Sequence, residues 1–362
     1  MFRAIRYAGS IVAVLCSVNI LYHVRALFPG RNTAKRIVPP LIAVVNFILM
    51  LDTFTTVWMI CLHLSLVLIA FDAIALILRA FFRNSRAHAG FRALIRRGFA
   101  FGIAALVCVY GVWNMKYVRE TDYMLETDKF SGEIKLALMS DVHLGNAMNA
   151  DSFLKTVDRA ISEGADALIL AGDLVDEGSE LSDFEALCEG LSRRPMRLGA
   201  YYVFGNHDGA HYGGTVTSPA VENGLTDAGV TVLTDESLLL NGWLRIVGRK
   251  EASVRSRLTP EALLKNTDPE TEFVLMIDHQ PAETKACAAA GVDLLLSGHT
   301  HNGQIWPIGL ISKWFGINEI EYGLEDVDGM KAMVSSGVSG WGCSFRTSGR
   351  SEFVMITLRG VS

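Results

Sequence analysis

The sequence has no C-x-x-C pair among its six cysteines and almost no acid in its first third. Without paired cysteines there is neither a zinc ribbon nor a disulfide framework, and the six read as small core residues. Residues 1–116 hold 13 Lys and Arg against only two acids, Asp52 and Asp72, a net of +11. Residues 117–362 carry 20 Lys and Arg and 36 Asp and Glu, a net of −16. That acidic balance argues against nucleic acid as a partner. Gly213-Gly214 lacks a strand–Gly-rich–helix context, so it reads as a loop hinge and not a phosphate cradle.

What is present is apolar sequence. Half of the 362 residues are hydrophobic and the mean hydropathy is +0.30, high for a purely soluble chain. Two units are expected at this length. The first, 1–116, reads as all-α with about four transmembrane helices, at 5–27, two within 37–82 joined by a turn near 59–63, and 98–113. Uninterrupted Leu, Ile, Val and Phe on this scale exceeds what a buried helical domain requires. Basic residues cluster in the first loop (Arg25, Arg31, Lys35, Arg36) and the third (Arg79, Arg83, Arg86, Arg92, Arg96, Arg97). The positive-inside rule puts both loops in the cytoplasm and the chain after Trp113 outside, in a multi-pass protein of the cell membrane. Arg3 and Arg6 oppose this orientation. Arg96-Arg97 before an apolar run resembles a twin-arginine export signal, a common pattern in any basic loop. Asp52 and Asp72 mark a polar intramembrane site or lie at a turn and inside the bundle.

Residues 117–132, polar and mixed in charge, read as a linker to a domain at 133–362. There, strand-like runs (133–140, 167–171, 199–204, 230–233, 238–247, 272–278, 292–296, 331–335, 352–358) alternate with helix-like ones (151–163, 181–192, 219–228, 259–266, 282–290). Such alternation predicts an α/β fold, with Asp151 a candidate N-cap. Five apolar runs end in polar residues: Asp141-Val142-His143, Gly172-Asp173, Gly205-Asn206-His207-Asp208, His279, and Gly298-His299-Thr300-His301. Sites in α/β sheets form at the carboxyl ends of strands, so the five stretches can share one cleft. Asp141 and His143, two apart on an extended chain, would point the same way. Asp, His and Asn donors without thiolate suit Mn²⁺, Fe or Zn²⁺, and seven candidates are too many for one ion with an open position. Two ions with one bridging carboxylate activate a shared water and clamp the oxygens of an in-line displacement at phosphorus.

In that order the five motifs resemble the calcineurin-like metallophosphoesterase superfamily over about 133–359. The 298–304 stretch is similar to its bacterial membrane-associated branch, where Gly is usual in place of Asn302. The resemblance implies a two-sheet αββα sandwich. It implies Asp141, His143 and His301 as ligands of a first metal, Asp173 as the bridge, and Asn206, His279 and His299 as ligands of a second. It implies catalytic His207, oriented by Asp208. Beside these, Arg346 and His211 are candidates to bind substrate, although an ion pair for Arg346 and a solvated loop for His211 and Tyr212 account for them too. Asp176 and Glu177 read as loop acids. The apolar stretch 306–315 would hold an acyl chain, touch the bilayer or pack over a sheet edge. The expected activity is hydrolysis of a phosphate ester or diphosphate, small or lipid-linked, by a hydroxide held between two divalent ions. Soluble nucleotides or phosphodiesters are alternative substrates. A binding scaffold and a membrane sensor are the rival classes.

Overall fold

The computed structural model describes residues 2–28, 33–53, 55–81, 89–208 and 213–361. The chain divides into two units, Met1–Trp113 and Asn114–Ser362.

The first unit is helical: α1 (Phe2–Arg25), α2 (Thr33–Leu49), α3 (Thr56–Phe81) and α4 (Ala89–Lys116), the last ending within the second unit. Unlike a water-soluble bundle, it turns many large apolar residues outward. Ile11, Leu15, Leu66, Ile69 and Leu106 face outward. Buried Asn46 Nδ2 donates to Ser17 Oγ at 2.9 Å, and His23 Nε2 lies 3.2 Å from Asp72 Oδ2. Polar groups that satisfy one another inside and apolar groups outside are what a lipid solvent selects.

Two expectations change here. Among the described residues, two helical segments, Thr56–Ile77 and Gly98–Lys116, are long and apolar enough to cross a membrane, and Gly9–Arg25 is shorter. Four such spans were expected. The turn in the long apolar run lies between Leu49, where α2 ends, and Thr56, where α3 begins, and not at 59–63. Thr55 Oγ1 accepts from Trp58 N at 3.1 Å, an N-cap that starts α3 early, and His63 Nδ1 meets Met59 O at 2.8 Å inside that helix.

The second unit has two six-stranded sheets. Its strands are β1 (Arg119–Thr127), β2 (Ser131–Met139), β3 (Ala167–Ala171), β4 (Ala200–Val203), β5 (Val230–Val232), β6 (Glu236–Leu240), β7 (Leu244–Gly248), β8 (Phe273–Ile277), β9 (Leu294–Ser297), β10 (Gly323–Val327), β11 (Met330–Val334) and β12 (Glu352–Val361). The orders are β1-β12-β2-β3-β4-β5 and β10-β11-β9-β8-β7-β6. β2 to β5 run parallel, as do β11, β9, β8 and β7.

Strand alternation sorts the apolar residues into layers. Ile134, Leu136 and Leu138 of β2 and Phe273, Leu275 and Ile277 of β8 share one core between the sheets. Ala137 and Met139 instead pack outward with Phe153, Phe184 and Val221 of α5 (Ala150–Ser162), α6 (Leu181–Ser192) and α7 (Ser218–Asp227). Val274, Met276 and Leu295 meet Leu264 of α8 (Pro260–Leu264) and Cys287 of α9 (Thr284–Ala289) on the far side. The layers are therefore α, β, β, α, with both sheets mixed.

The segment read as a linker contains β1, which pairs in parallel along its whole length with β12. It is an edge strand with alternating exposure, so its polar face hides it in the sequence. The run at 238–247 is a hairpin, because Asn241 and Gly242, with φ of 53° and 77°, reverse the chain between β6 and β7. Asn149, not Asp151, caps α5, its Oδ1 accepting from Ser152 N at 3.0 Å. A tenth helix, α10 (Ile308–Phe315), was not expected as a separate element. It turns Gly309 and Ser312 inward and Ile308, Leu310, Ile311, Trp314 and Phe315 outward.

Candidate metal centre

Five loops at the carboxyl ends of parallel strands bring the expected residues together. Asp141 and His143 follow β2, Asp173 follows β3, Asn206 and His207 follow β4, His279 follows β8, and His299 and His301 follow β9. The route differs from the extended chain expected at the first motif. Asp141 and His143 have φ of 55° and 45°, and Asp173, His299 and His301 are also left-handed. Five non-glycine residues held there store backbone strain at one place, which the surrounding fold must over-determine.

Buried Asp208 supplies much of that constraint. Its carboxylate accepts from the backbone N–H of Asp173 at 2.8 Å, Val175 at 3.0 Å and Gly205 at 2.7 Å. It was expected to orient His207, but these bonds commit it to locking the β3 and β4 loops. Close packing does the rest. A Cβ on Gly205 or Gly298 would collide with the carboxylates of Asp173 and Asp141 respectively.

The donors form two triads, Asp141–His143–His301 and Asp173–His279–His299, with each triad's ligand atoms within 4.8 Å of one another. Asp173 Oδ2 lies 3.2 Å from His279 Nε2 and 3.7 Å from His143 Nε2, so this one oxygen faces both triads. Its other oxygen accepts from His207 N at 2.8 Å. Asn206 Oδ1 joins the second triad, 3.2 Å from His279 Nε2.

The donor set fits two divalent ions. His279 Nδ1 donates to Ala171 O at 2.8 Å, which leaves Nε2 as the donor atom turned to the cluster. Asp176 Oδ2 sits 3.3 Å from His143 Nδ1 and does the same for that ring. His143 Nε2 and His301 Nδ1 are buried without a hydrogen-bond partner. Orphaned buried nitrogens cost free energy unless something else satisfies them.

Charge follows the same geometry. Burial opposes ionisation of Asp173, but His279 and His143 hold its carboxyl well below the usual range. Burial likewise works against the His279 cation, yet Asp173 and Asp141 push it up to about 10. Burial, with His279 nearby, brings His299 down to about 4. Burial and His143 hold His301 well below its ordinary value. His299 and His301 are thus held neutral beside an ionised carboxylate, as ligation needs, whereas His279 keeps a proton that a metal would displace.

His207 borders the first triad, its ring 5.2 Å from that of His143 and 5.5 Å from that of Trp341. Glu177 Oε1 lies 3.3 Å from His207 Nδ1, so Glu177, read as a loop acid, is the carboxylate that faces this ring. Asp176 and Glu177 gave no signal in the sequence beyond standing soon after Asp173. Gln280 was also missed: its Nε2 donates to Glu251 Oε1 at 2.8 Å and to Asn206 Oδ1 at 3.4 Å.

Arg346 is not a phosphate contact. It is fully buried and donates to the carbonyls of His301 and Arg350, both at 3.1 Å, Ser336 at 3.0 Å, and Ser339. It ties the His301 loop to the 336–350 segment. His211 and Tyr212 lie outside the described residues. Asn302, where Gly is usual in the branch this stretch resembles, has φ of 49° and ψ of 39°. Asn is a residue that tolerates this left-handed conformation, which accounts for the exchange.

The chain is similar to several known proteins. The calcineurin-like phosphoesterase family model matches residues 134–303. An uncharacterized metallophosphoesterase of Aquifex aeolicus is 32% identical over 71% of this chain and 98% of its own length. A transmembrane protein with metallophosphoesterase domain from Danio rerio is 28% identical over 71% of this chain and 61% of that protein. Among solved structures, purple acid phosphatase PPD1 from yellow lupin (Lupinus luteus) seeds has a TM-score of 0.39 and 12% identity, over 64% of this chain and 55% of that one. With two ligand triads at the strand ends of a two-sheet sandwich and a relative matched over nearly its full length, the chain belongs to the calcineurin-like phosphoesterases, hydrolases that work with divalent metal ions.

Proposed function

We propose that this chain is a membrane-anchored phosphoesterase with a dinuclear centre, acting on a phosphate ester or diphosphate and, among these, on lipid-linked ones. The observation that carries the dinuclear reading is Asp173 Oδ2, which faces His143 Nε2 and His279 Nε2 together. Asp141, His143 and His301 would hold one ion, Asn206, His279 and His299 the other, with Asp173 between them. Mn²⁺, Fe and Zn²⁺ suit these donors. Such a pair supplies a nucleophile from water at neutral pH and neutralises charge on phosphoryl oxygens.

The protein's own residues do the remaining work. Asp208 and Arg346 hold the ligand loops in register. Glu177 orients His207, whose Nε2 would protonate the leaving oxygen. Trp341, beside His207 and partly exposed, would flank the leaving group.

The membrane reading rests on the apolar segments Thr56–Ile77 and Gly98–Lys116, the outward apolar faces of α1 to α4, and the basic first and third loops. On this reading α1 and α2 join the two span-length helices in the membrane, so that the protein is multi-pass with the catalytic unit on the outer side. The anchoring favours substrates that share the bilayer surface. A panel of lipid-linked and soluble esters, assayed with Mn²⁺ on the purified chain and on Asp173→Ala, tests both points. Lipid-linked substrates should turn over fastest, and the variant should be inactive on all of them. Turnover of soluble nucleotides alone would end the lipid reading and leave the phosphoesterase.

A further inference from the structure

Helix α10 breaks the rule that governs the rest of the second unit. The other helices there turn most of their large apolar residues inward, with Ile161 of α5 and Leu181 of α6 the exposed exceptions. α10 packs through Gly309 and Ser312, with Ser312 Oγ donating to Glu321 Oε2 at 2.6 Å. Its large side chains point out: Trp314 is 82% exposed and Phe315 78%, with Ile308, Leu310, Ile311 and the preceding Trp306 beside them. A soluble domain rarely leaves so much contiguous apolar area open without a use for it.

Three observations say what covers this face. The first is charge. The second unit is strongly acidic, yet residues 301–318 contain no Asp or Glu, and Lys313 is their one Lys or Arg. Tryptophans with a lysine at the margin are what the interface of an anionic bilayer accepts, and an acid there is repelled.

The second is placement within the second unit. Asn114 and Met115 end the apolar segment Gly98–Lys116 and open this unit. Asn114 Nδ2 donates to Arg346 O at 3.3 Å and Gly349 O at 2.9 Å. The same short loop holds the approach to α10 from its other side. Thr347 N and Ser348 N donate to Gln304 O, both at 2.9 Å, and Trp306 N donates to Thr347 Oγ1 at 3.1 Å. One loop of this unit therefore holds both its first residues and the approach to α10. The third is covalent reach, since two residues separate Lys116 from β1.

We infer that α10, led by Trp306, is an interfacial helix whose apolar face lies in the lipid headgroup region of the membrane that anchors the chain. It rests on the anchoring proposed above. The consequence for the site is direct, because α10 packs on the turn that carries His301. Gly303 is in such close contact with Gly309 that a Cβ would not fit. Docking α10 brings the cleft to headgroup level and presents it with phosphates that lie in the bilayer surface rather than free in solution.

The test uses the full chain in vesicles of phosphatidylethanolamine and phosphatidylglycerol. A nitroxide is attached at Trp314→Cys, at Phe315→Cys in a second preparation, and at Glu189→Cys on α6 as a water-facing control. The labelled unsubstituted protein gives the background of the native cysteines. Collision with oxygen and with a water-soluble nickel chelate reports depth. Positions 314 and 315 should be open to oxygen, shielded from nickel, and about 5–10 Å below the headgroup boundary. Position 189 should behave oppositely. If 314 and 315 read like 189 while the chain resists an alkaline wash, the α10 assignment falls and the anchoring stands. If both labels are shielded from oxygen and nickel alike, a protein covers the face, and the proposal is overturned. A chain washed off the vesicles ends the anchoring and this proposal with it.

Discussion

The cleft and helix α10 are a few residues apart in the chain and follow opposite rules. In the cleft, titratable groups are buried, and nearly every one has a named partner that fixes it: Ala171 O for His279, Asp176 for His143, three backbone amides for Asp208. On α10, apolar side chains are exposed and none of the described residues of the second unit covers them. Both regions depart from the pattern that makes a sequence fold. Such departures gather where a protein meets something other than itself. In the cleft the departure is compensated internally, so disturbing it should damage stability and chemistry together. On α10 the compensation is external, so disturbing it should spare both in the absence of lipid.

The largest effect should come from Asp173→Ala. Hydrolysis of a soluble p-nitrophenyl phosphodiester should fall by about 10³-fold or more, and metal measured by elemental analysis should fall below two ions per chain. Full activity would remove the carboxylate from the centre of the argument. Asp208→Ala leaves three backbone amides without their acceptor and should cost about 3–5 kcal/mol of stability to unfolding. A variant as stable as the parent would show that the loops are held by other means.

Asp176→Asn should weaken metal affinity by about 10–100-fold through the His143 ring, measured by chelator competition. In the same competition, affinity should rise with pH. Metal must displace the proton on His279, whose value is pushed up to about 10, so up to about tenfold tighter binding is expected per pH unit below that point. A flat profile from pH 6 to 8 would mean that this proton is not the competitor. The smallest effect belongs to α10. Trp314→Glu combined with Phe315→Glu should leave soluble-ester hydrolysis within about twofold, since both side chains already face outward. A large loss there would turn α10 into part of the cleft's own scaffold and erase the contrast.

Much of the cleft was legible because its residues follow strands whose alternation is strong. Asp141, Asp173, His279 and His299 each stand within two residues of a buried parallel strand's end. The carboxylates that orient the ligands were not legible. Asp176 and Glu177 differ from any loop acid only in what they touch, and that is decided by how the β3 and β4 loops fold back. Arg346 misled for the same reason: a lone Arg near a phosphate site suggests a phosphate contact, and only its burial among carbonyls shows otherwise. β1 was hidden by an edge strand's half-polar pattern, and the β6–β7 hairpin by neglect of Asn241-Gly242, which is a turn signal in its own right. In the first unit, composition located the apolar segments but not the break between α2 and α3, which depends on Thr55 capping α3.

The position of β12 has a consequence for how this unit is made. β12 is the latest of the twelve strands in the chain, and it lies between β1 and β2, paired to both. While the ribosome is still building residues 352–361, β1 has no neighbour, and the sheet that carries Asp141 and Asp173 has an unfinished edge. A nascent chain stalled just short of β12 should therefore be open to proteases, and those ten residues should close the domain in a single late step.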